Sequence, residues 1–405
     1  MAKAFVLTGG SRSQLGLLEQ ARALGHEVCV VDGSAEAPLL AEADHRIVRS
    51  FADVGGVLGD LEAQGIEPIA VATMGSDQAV LPTAQLAERL GLPGLPTETA
   101  RTVADKRRMR AAFEKRKVRC PKGREATSFE EAEQAFHQLG APVVVKPVDG
   151  SAQRGVTEVR TESELADAVD RALAASRAGA IVLEQYLDGD EFTVNGFMLD
   201  REYFPMSVTR RLLHPPPPLG VCIAHRYPSL LRNEEPLFEL AHKASLAVGL
   251  ETGPSYVQVR MRDGQPWAIE VGARLGGGKD AELAKLVTGF DAVRANVLWV
   301  LGELSRDDLQ PGEPTATVGQ VRFVVHEPGQ IVHLDTAPAL ALDGVHEAGW
   351  YWREGMRLPP MTSGAERLGY LLLSAGDEDE LDALTERALG ALEIEIAAET
   401  PVASA

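Results

Sequence analysis

Cysteine, basic charge and long apolar runs are all scarce in this chain of 405 residues, and each scarcity removes a class of protein. The three cysteines, Cys29, Cys120 and Cys222, are odd in number, far apart and without CxxC spacing. That argues against a disulfide framework and a thiolate zinc site, and leaves buried, inert thiols. No apolar run approaches the ~18 residues that a membrane-spanning helix needs. The start, MAKAFVLTGG, reaches glycine too soon for a signal peptide, so the expected compartment is the cytoplasm, with no membrane partner. Lys and Arg total 40 against 59 Asp and Glu, a formal net charge of −19. A surface of that sign repels a phosphate backbone, so nucleic acid is an unfavourable partner and any phosphate ligand must be held by a few placed cations or a metal. Two familiar phosphate signatures are also missing. The first turn, TGGSRSQLG, has Gly9, Gly10 and Gly16 at the wrong spacing for GxGxxG, although Asp32 imitates the acid that would follow it, and GxxxxGK[ST] does not occur.

What is present is enough chain for several cores, because a single core stops growing at roughly 250 to 300 residues. Residues 1–100 alternate apolar strands (KAFVLTGG, HEVCVVDG, EPIAVATMGSD) with helical spacing (SQLGLLEQARALG), which predicts a parallel sheet with helices on its faces. A boundary follows in LGLPGLPTETARTVADKRRMRAAFEKRKVRCP, where Gly and Pro punctuation leads into a basic helix that ends before Pro121. Residues 121–187 read as strands and two helices around PVVVKPVDGSAQRGV. The prolines at 215–218 read as an extended loop, and the tail RLGYLLLSAGDEDELDALTERALGALEIEI as strand, helix and strand in a small lobe of its own. No internal repeat is evident.

Lys146 ends an apolar strand, and Gly150 to Gly155, including Ser151, then open a short polar loop before the next strand. Glycine lets backbone N–H groups approach phosphate oxygens closely. The same stretch also reads as a plain hairpin with a surface lysine. Two neighbours favour the phosphate reading: Lys106 in ADKRRM, and the acid-rich LEQYLDGDEF some forty residues on.

Taken in order, ADKRRMRAAFEKRKVRCP, VVVKPVDGSAQRGV, LEQYLDGDEF and AIEVGARLGGG resemble the ATP-grasp superfamily. The resemblance implies a multi-lobed α/β and α+β fold. Its N-terminal parallel sheet (the Rossmann-like pre-ATP-grasp domain) would span 1–100, a two-lobed ATP-grasp domain 101–310 with a mobile lid at about 121–187, and a C-terminal α+β subdomain 311–405. It implies that ATP is gripped between two lobes and a carboxylate activated as an acyl phosphate. Carried over by position, it implies that Lys106 and Lys146 contact phosphates and that Gly150, Ser151 and Gly155 belong to the lid loop. Glu184, Gln185, Tyr186 and Leu187 would bond adenine, largely through backbone, and Glu191 the ribose, although Glu191 also reads as a solvated acid in DGDE.

SYVQVRMRDGQPWAIEVGAR alternates apolar and polar residues about an Asp-Gly turn, as a β-hairpin does. A three-residue loop, Asp263 to Gln265, would set Gln258 directly opposite Glu270, whereas a two-residue loop would pair Gln258 with Ile269 and split the polar set between faces. The first register is the expectation. Gln258 and Glu270 then supply hard oxygens for Mg²⁺, or Mn²⁺ in its place, with phosphate and water completing the shell. Gly272 stands where the family usually has asparagine and leaves open whether one metal or two is bound. Arg274 is the expected catalytic cation, with Lys146, facing charge that develops as the carboxylate attacks. The Gly-x-Arg-x-Gly-Gly-Gly run and the small final lobe are most similar to carboxylate–amine ligases of the L-amino-acid ligase type.

That resemblance implies an ATP-dependent carbon–nitrogen ligase joining a small carboxylic acid to an amine, with amino acids on either side, and it is compatible with a homodimer. Gly276 and Gly277 would leave room for the nucleophile. TRRLLHPPPPLGVCIAHRYPS offers Arg210, Arg211, His225 and Arg226 to hold a substrate carboxylate, each equally readable as a solvated loop charge. The alternatives are a bicarbonate-activating carboxylase of the biotin-carboxylase type and an ATP-binding protein without catalysis.

Overall fold

The computed structural model describes residues 1–150, 152–215 and 219–397, which fall into two compact units. The first comprises Met1–Cys120, Phe192–Val208 and Leu231–Pro314, and the second Pro121–Glu191, Thr209–Leu230 and Thr315–Ala405.

The first unit opens with four parallel strands, β1 (Ala2–Thr8), β2 (Glu27–Asp32), β3 (His45–Val48) and β4 (Ile66–Ala72), in the order β3-β2-β1-β4. Their near-continuous apolar runs are what a parallel sheet covered on both faces requires. Phe5, Leu7, Val28 and Val30 pack with Leu17 and Leu18 on one face, while Ala4, Val6, Cys29 and Val31 pack with Val57 and Leu61 on the other. The predicted sheet and its flanking helices are therefore present. Asp32 does not wait for a ribose: its carboxylate accepts from the N–H groups of Gly10 at 2.7 Å and Ser34 at 2.8 Å, closing the first turn. The helix Ala292–Leu301 also buries Ala292, Ala295 and Val297 in this sheet's core, so residues near 300 and near 1 share one hydrophobic cluster.

The second unit begins with a small antiparallel sheet, β5 (Gly123–Ala126), β6 (Val143–Pro147), β7 (Thr157–Val159) and β8 (Ile181–Gln185), in the order β5-β8-β6-β7. Two amphipathic helices, Phe129–Leu139 and Leu165–Ala175, bury Ala132, Phe136, Leu165 and Val169 against Val143, Val145 and Leu183.

The longer antiparallel strands are β9 (Glu191–Leu199), β10 (Glu202–Leu213), β11 (Cys222–Tyr227), β12 (Gly253–Arg262), β13 (Gln265–Gly272) and β14 (Val318–Val324). In the first unit the order runs β13-β12-β9-β10. In the second unit, where β10 continues from Thr209, β10-β11-β14 is extended by β18 (Gly369–Ala375) and β16 (Val345–Trp350). The remaining strands, β15 (Gly329–Asp335), β17 (Arg357–Leu358) and β19 (Glu393–Ala397), make a three-stranded sheet. The tail has the expected strand, helix and strand, and its strand β18 hydrogen-bonds along the whole of β14.

The prolines expected to form an extended loop are only partly described. Pro216 to Pro218 lie outside the described residues, but the flanking segments are paired strands, with Arg210 opposite Arg226 and Arg211 opposite His225. Among the described residues, no helix is long and apolar enough to cross a membrane.

Candidate functional site

In the first unit the functional side chains gather on the β12–β13 hairpin. Gln258 lies directly opposite Glu270, as expected, but the loop does not set that register. Arg262 pairs with Gln265, which leaves a two-residue turn in which Asp263 and Gly264 both have left-handed φ, 51° and 70°. This matches the hairpin preference for Asp-Gly, whose twist fits that of the strands. Continued alone, that turn would have paired Gln258 with Ile269. Instead the partner shifts from Ala268, opposite Val259, to Glu270, opposite Gln258, so Ile269 is an extra residue in a β-bulge.

Arg110, buried on the helix Lys106–Arg116, donates Nη2 to the Ile269 carbonyl at 2.8 Å and Nη1 to that of Ala268 at 3.4 Å. The bulge that aligns the oxygens is thus held by a cation of ADKRRMRAAFEKRKVRCP to which the motif itself gives no role. The same helix starts on Asp105, whose carboxylate caps the N–H groups of Arg107 and Arg108, and this places Lys106 at its first turn. Lys106 Nζ lies 3.3 Å from Glu270 Oε1.

Arg274 is fixed more firmly than its sequence context suggests. Its Nε and Nη2 reach Asp77 Oδ1 at 2.9 and 2.7 Å, Nη1 donates to the Leu275 carbonyl at 3.2 Å, and the guanidinium lies 5.0 Å from the Tyr256 ring centroid. Burial works against its charge, but the Asp77 carboxylate, Tyr256 and Glu270 outweigh it and hold the guanidinium above its ordinary pKa. A β-carbon at Gly272 would meet Arg274 Cζ at 3.6 Å and Tyr256 Cδ1 at 3.7 Å, ordinary contact distances. Gly276 and Gly277 have a packing reason instead of the expected open space. A β-carbon at 276 would come 2.5 Å from Asp280, and one at 277 would come 2.8 Å from the backbone of Gly75. Among the described residues, no three His, Cys, Asp or Glu side chains cluster as a metal site. Gln258 and Glu270 still fit Mg²⁺, whose shell is commonly completed by phosphate and water.

In the second unit, Lys146 and Glu184 sit on neighbouring strands and form a buried pair, Nζ to Oε2 2.7 Å, with side-chain exposures of 7% and 4%. Lys146 is therefore no surface lysine. The loop after it is tight: Ala152, Gln153 and Gly155 all have left-handed φ. Its base is tied by the Asp149 carboxylate, which accepts from Ser176 Oγ and the N–H groups of Arg177 and Ala178. Ser151, expected to belong to the loop's grip, lies outside the described residues. Of the segment expected to bond adenine through backbone, Gln185 N–H already donates to the Lys122 carbonyl at 2.9 Å and Tyr186 N–H to that of Pro142 at 3.1 Å. Leu187 is buried at 3% exposure. Glu191 is not a solvated acid, since its carboxylate is held by buried Arg211 at 3.1 Å.

Strand pairing sorts the four basic candidates onto two faces. Arg210 and Arg226, paired across β10 and β11, both reach the helix Glu378–Ala391, whereas Arg211 and His225 face the other way. Arg210 meets Glu378 at 2.9 Å, and Arg226 meets Glu378 at 2.8 Å and also Asp382. Arg226 is thus a tether between sheet and helix, and the expectation that it holds substrate is corrected. Arg226→Met is expected to cost about 1–2 kcal/mol in urea unfolding, the size of charged hydrogen bonds discounted for the exposed Asp382. It should leave substrate KM values unchanged, and a rise in KM at unchanged stability would restore the substrate role. His225 is buried, and burial together with the charges of Arg211 and Arg367 pushes its imidazole well below the ordinary range, so it is neutral at pH 7.

Three family models match the chain: an ATP-grasp N-terminal domain over 18–94, an ATP-grasp domain over 139–282, and an L-amino acid ligase C-terminal domain over 322–397. An uncharacterized protein of Sinorhizobium fredii is 26% identical over 374 residues, covering 91% of this chain and 73% of that protein. An alanine–anticapsin ligase of Bacillus subtilis is 28% identical over 246 residues, or 54% of this chain and 51% of the ligase, so the match spans about half of that relative's length. Among solved structures, an L-amino acid ligase from Bacillus licheniformis superposes with a TM-score of 0.82 at 22% identity, over 98% of this chain and 99% of the other. At that identity the likeness shows the fold alone.

Proposed function

The chain is an ATP-grasp protein of the L-amino-acid ligase type, and from that premise we propose that it is an ATP-dependent carboxylate–amine ligase. A carboxylate oxygen attacks the γ-phosphorus of ATP, the bond to ADP breaks, and an acyl phosphate forms. An amine then attacks the acyl carbon, loses a proton, and displaces phosphate to leave an amide. The observation that carries this reading is the bulged register that sets Gln258 opposite Glu270, with Lys106 at 3.3 Å from that carboxylate.

Gln258 and Glu270 would hold Mg²⁺, which when bound supplies positive charge against the phosphates. Lys106 and Lys146 offset phosphate charge, Glu270 and Glu184 keeping each ammonium in place beforehand. The loop of Gly150 and Gly155 offers backbone N–H donors, and Leu187 and Glu191 are the adenine and ribose candidates. Arg274, oriented by Asp77, stabilises charge on the transferring phosphoryl group through its planar fork. Amino acids are the proposed substrates, supported by the match of residues 322–397 to the L-amino acid ligase C-terminal model.

The test is ADP release with saturating MgATP across pairs of amino acids and small acids. The reading predicts ADP formation that requires both an acid and an amine. Release on bicarbonate alone would favour a bicarbonate-activating carboxylase, and ATP binding without turnover on any pair would favour a non-catalytic nucleotide-binding protein. Gly272→Asn sharpens the result. The new amide would crowd Arg274 in a site tuned around glycine, so turnover should fall at least about 10-fold, as for lost metal-site support. A strong gain in turnover would mean that Gly272 marks a decayed metal site.

A further inference from the structure

Resting on the ligase reading, we propose that Arg367, together with Arg211 and His225, forms an anion niche in the second unit that takes the non-reacting carboxylate of the amine substrate. The preferred amine is then a free amino acid, recognised over the matching amide, ester or simple amine.

The niche is built by strand register. Arg211 and His225 are opposite each other on β10 and β11, and His225 is opposite Val321 on β14. Phe323, two residues further along β14, lies on the same face and meets the His225 ring edge to face at 5.9 Å between centroids. Over that phenyl ring, 3.9 Å from its centroid, lies the Arg367 guanidinium carbon. One cation, one neutral imidazole and a second cation thus line one face of one sheet, linked by an aromatic ring.

Arg367 is held in place before any ligand arrives. It ends a short turn closed by a reciprocal cap, in which the Ser363 hydroxyl accepts from backbone while the Glu366 carboxylate accepts from Ser363 N–H at 2.6 Å. Its carbonyl accepts from Trp352 Nε1 at 3.0 Å, and the next residue, Leu368, donates its N–H to the Val324 carbonyl at 2.8 Å. The guanidinium also lies close against the backbone at Gly364, where a β-carbon would sit 3.0 Å from Nη2 and 3.1 Å from Cζ. A planar guanidinium packed against a ring and against bare backbone loses little further freedom when its donors meet a carboxylate, and its fork matches the two carboxylate oxygens.

The same turn touches the phosphate loop. Gly364 N–H donates to the Ala152 carbonyl at 2.9 Å, and Gln153 Oε1 approaches Gly364 as well. The niche therefore adjoins the loop proposed to contact the phosphates of ATP. Arg211 is shared with Glu191. His225, kept neutral by burial and the two guanidiniums, can donate to the same anion without adding a third positive charge.

The experiment compares amine donors that differ only in their carboxylate, each free L-amino acid against its amide, at saturating MgATP. The variants are Arg367→Met and Arg367→Lys, the latter keeping the charge and stem in case the former folds poorly. Arg367→Met should lower kcat/KM for the free amino acid roughly 10- to 100-fold through KM, the size of a lost charged hydrogen bond, with an intermediate loss in Arg367→Lys. The amide donor and the KM for ATP should move less than about twofold. Equal losses on both donors, or a loss confined to ATP, would overturn the niche. Calorimetric titration of malonate into protein saturated with magnesium and a non-hydrolysable ATP analogue separates the two readings. Binding that Arg367→Met abolishes, in a protein that turns over no acid and amine pair, sustains the niche and sinks the ligase. Absence of binding in a protein that does turn over sinks the niche alone.

Discussion

Lys146→Met is expected to destabilise the protein by about 3–5 kcal/mol, because it removes one partner from a buried ion pair and leaves the other charge behind. Lys146 and Glu184 lie on adjacent strands of the β5–β8 sheet with almost no solvent contact, and Nζ approaches Oε2 to 2.7 Å. Without that ammonium, the Glu184 carboxylate has to remain in an environment that penalises its charge. The double variant Lys146→Met, Glu184→Gln should recover much of the lost stability and none of the nucleotide affinity, since the ammonium is what meets phosphate. Urea unfolding and equilibrium binding of an ATP analogue separate the two effects. A single variant as stable as the parent would mean that the pair is not the buried element it is taken to be, and a double variant that binds ATP normally would remove Lys146 from the phosphate site.

Arg274→Lys carries the largest expected kinetic effect, a fall in kcat of about 10²–10³ with little change in the KM for ATP. Arg274 spends Nε and Nη2 on a single Asp77 oxygen and Nη1 on the Leu275 carbonyl, and this fixes the plane of the guanidinium. An ammonium on a flexible stem can replace the charge but not the plane. Asp77→Asn, which keeps the shape and loses the charge, should fall between parent and Arg274→Lys. Steady-state ADP release checks both. A full kcat in Arg274→Lys would confine Arg274 to its ion pair with Asp77.

The fold was readable where side-chain period alone decides it. The apolar runs of β1, β2 and β4 announced a sheet covered on both faces, and the alternation of β12 and β13 announced a hairpin with one polar face. What sequence could not supply were the partners brought in from far along the chain. A three-residue loop gives the Gln258–Glu270 register on paper, whereas the molecule uses a two-residue Asp-Gly turn and repairs the phase with a bulge. That bulge depends on Arg110, some 159 residues away in sequence, and nothing in AIEVGARLGGG signals it. Arg274 likewise meets Asp77 across 197 residues. Arg226 read like its neighbours in a basic stretch until strand pairing turned it, with Arg210, toward the acids of a C-terminal helix. An arginine between a capped turn and a strand carries no motif, and only the pairing of β18 with β14 brings Arg367 over Phe323, on the face shared with His225.

Attack of a carboxylate oxygen on the terminal phosphate of ATP leaves an isotopic signature in the products. The acid that gives the fastest ADP release is labelled with oxygen-18 in its carboxylate, and the released phosphate is examined by mass spectrometry. Attack through an acyl phosphate predicts one labelled oxygen in the phosphate formed at each turnover, together with ADP. Unlabelled phosphate, or formation of AMP and pyrophosphate, would rule out carboxylate attack on the γ-phosphorus.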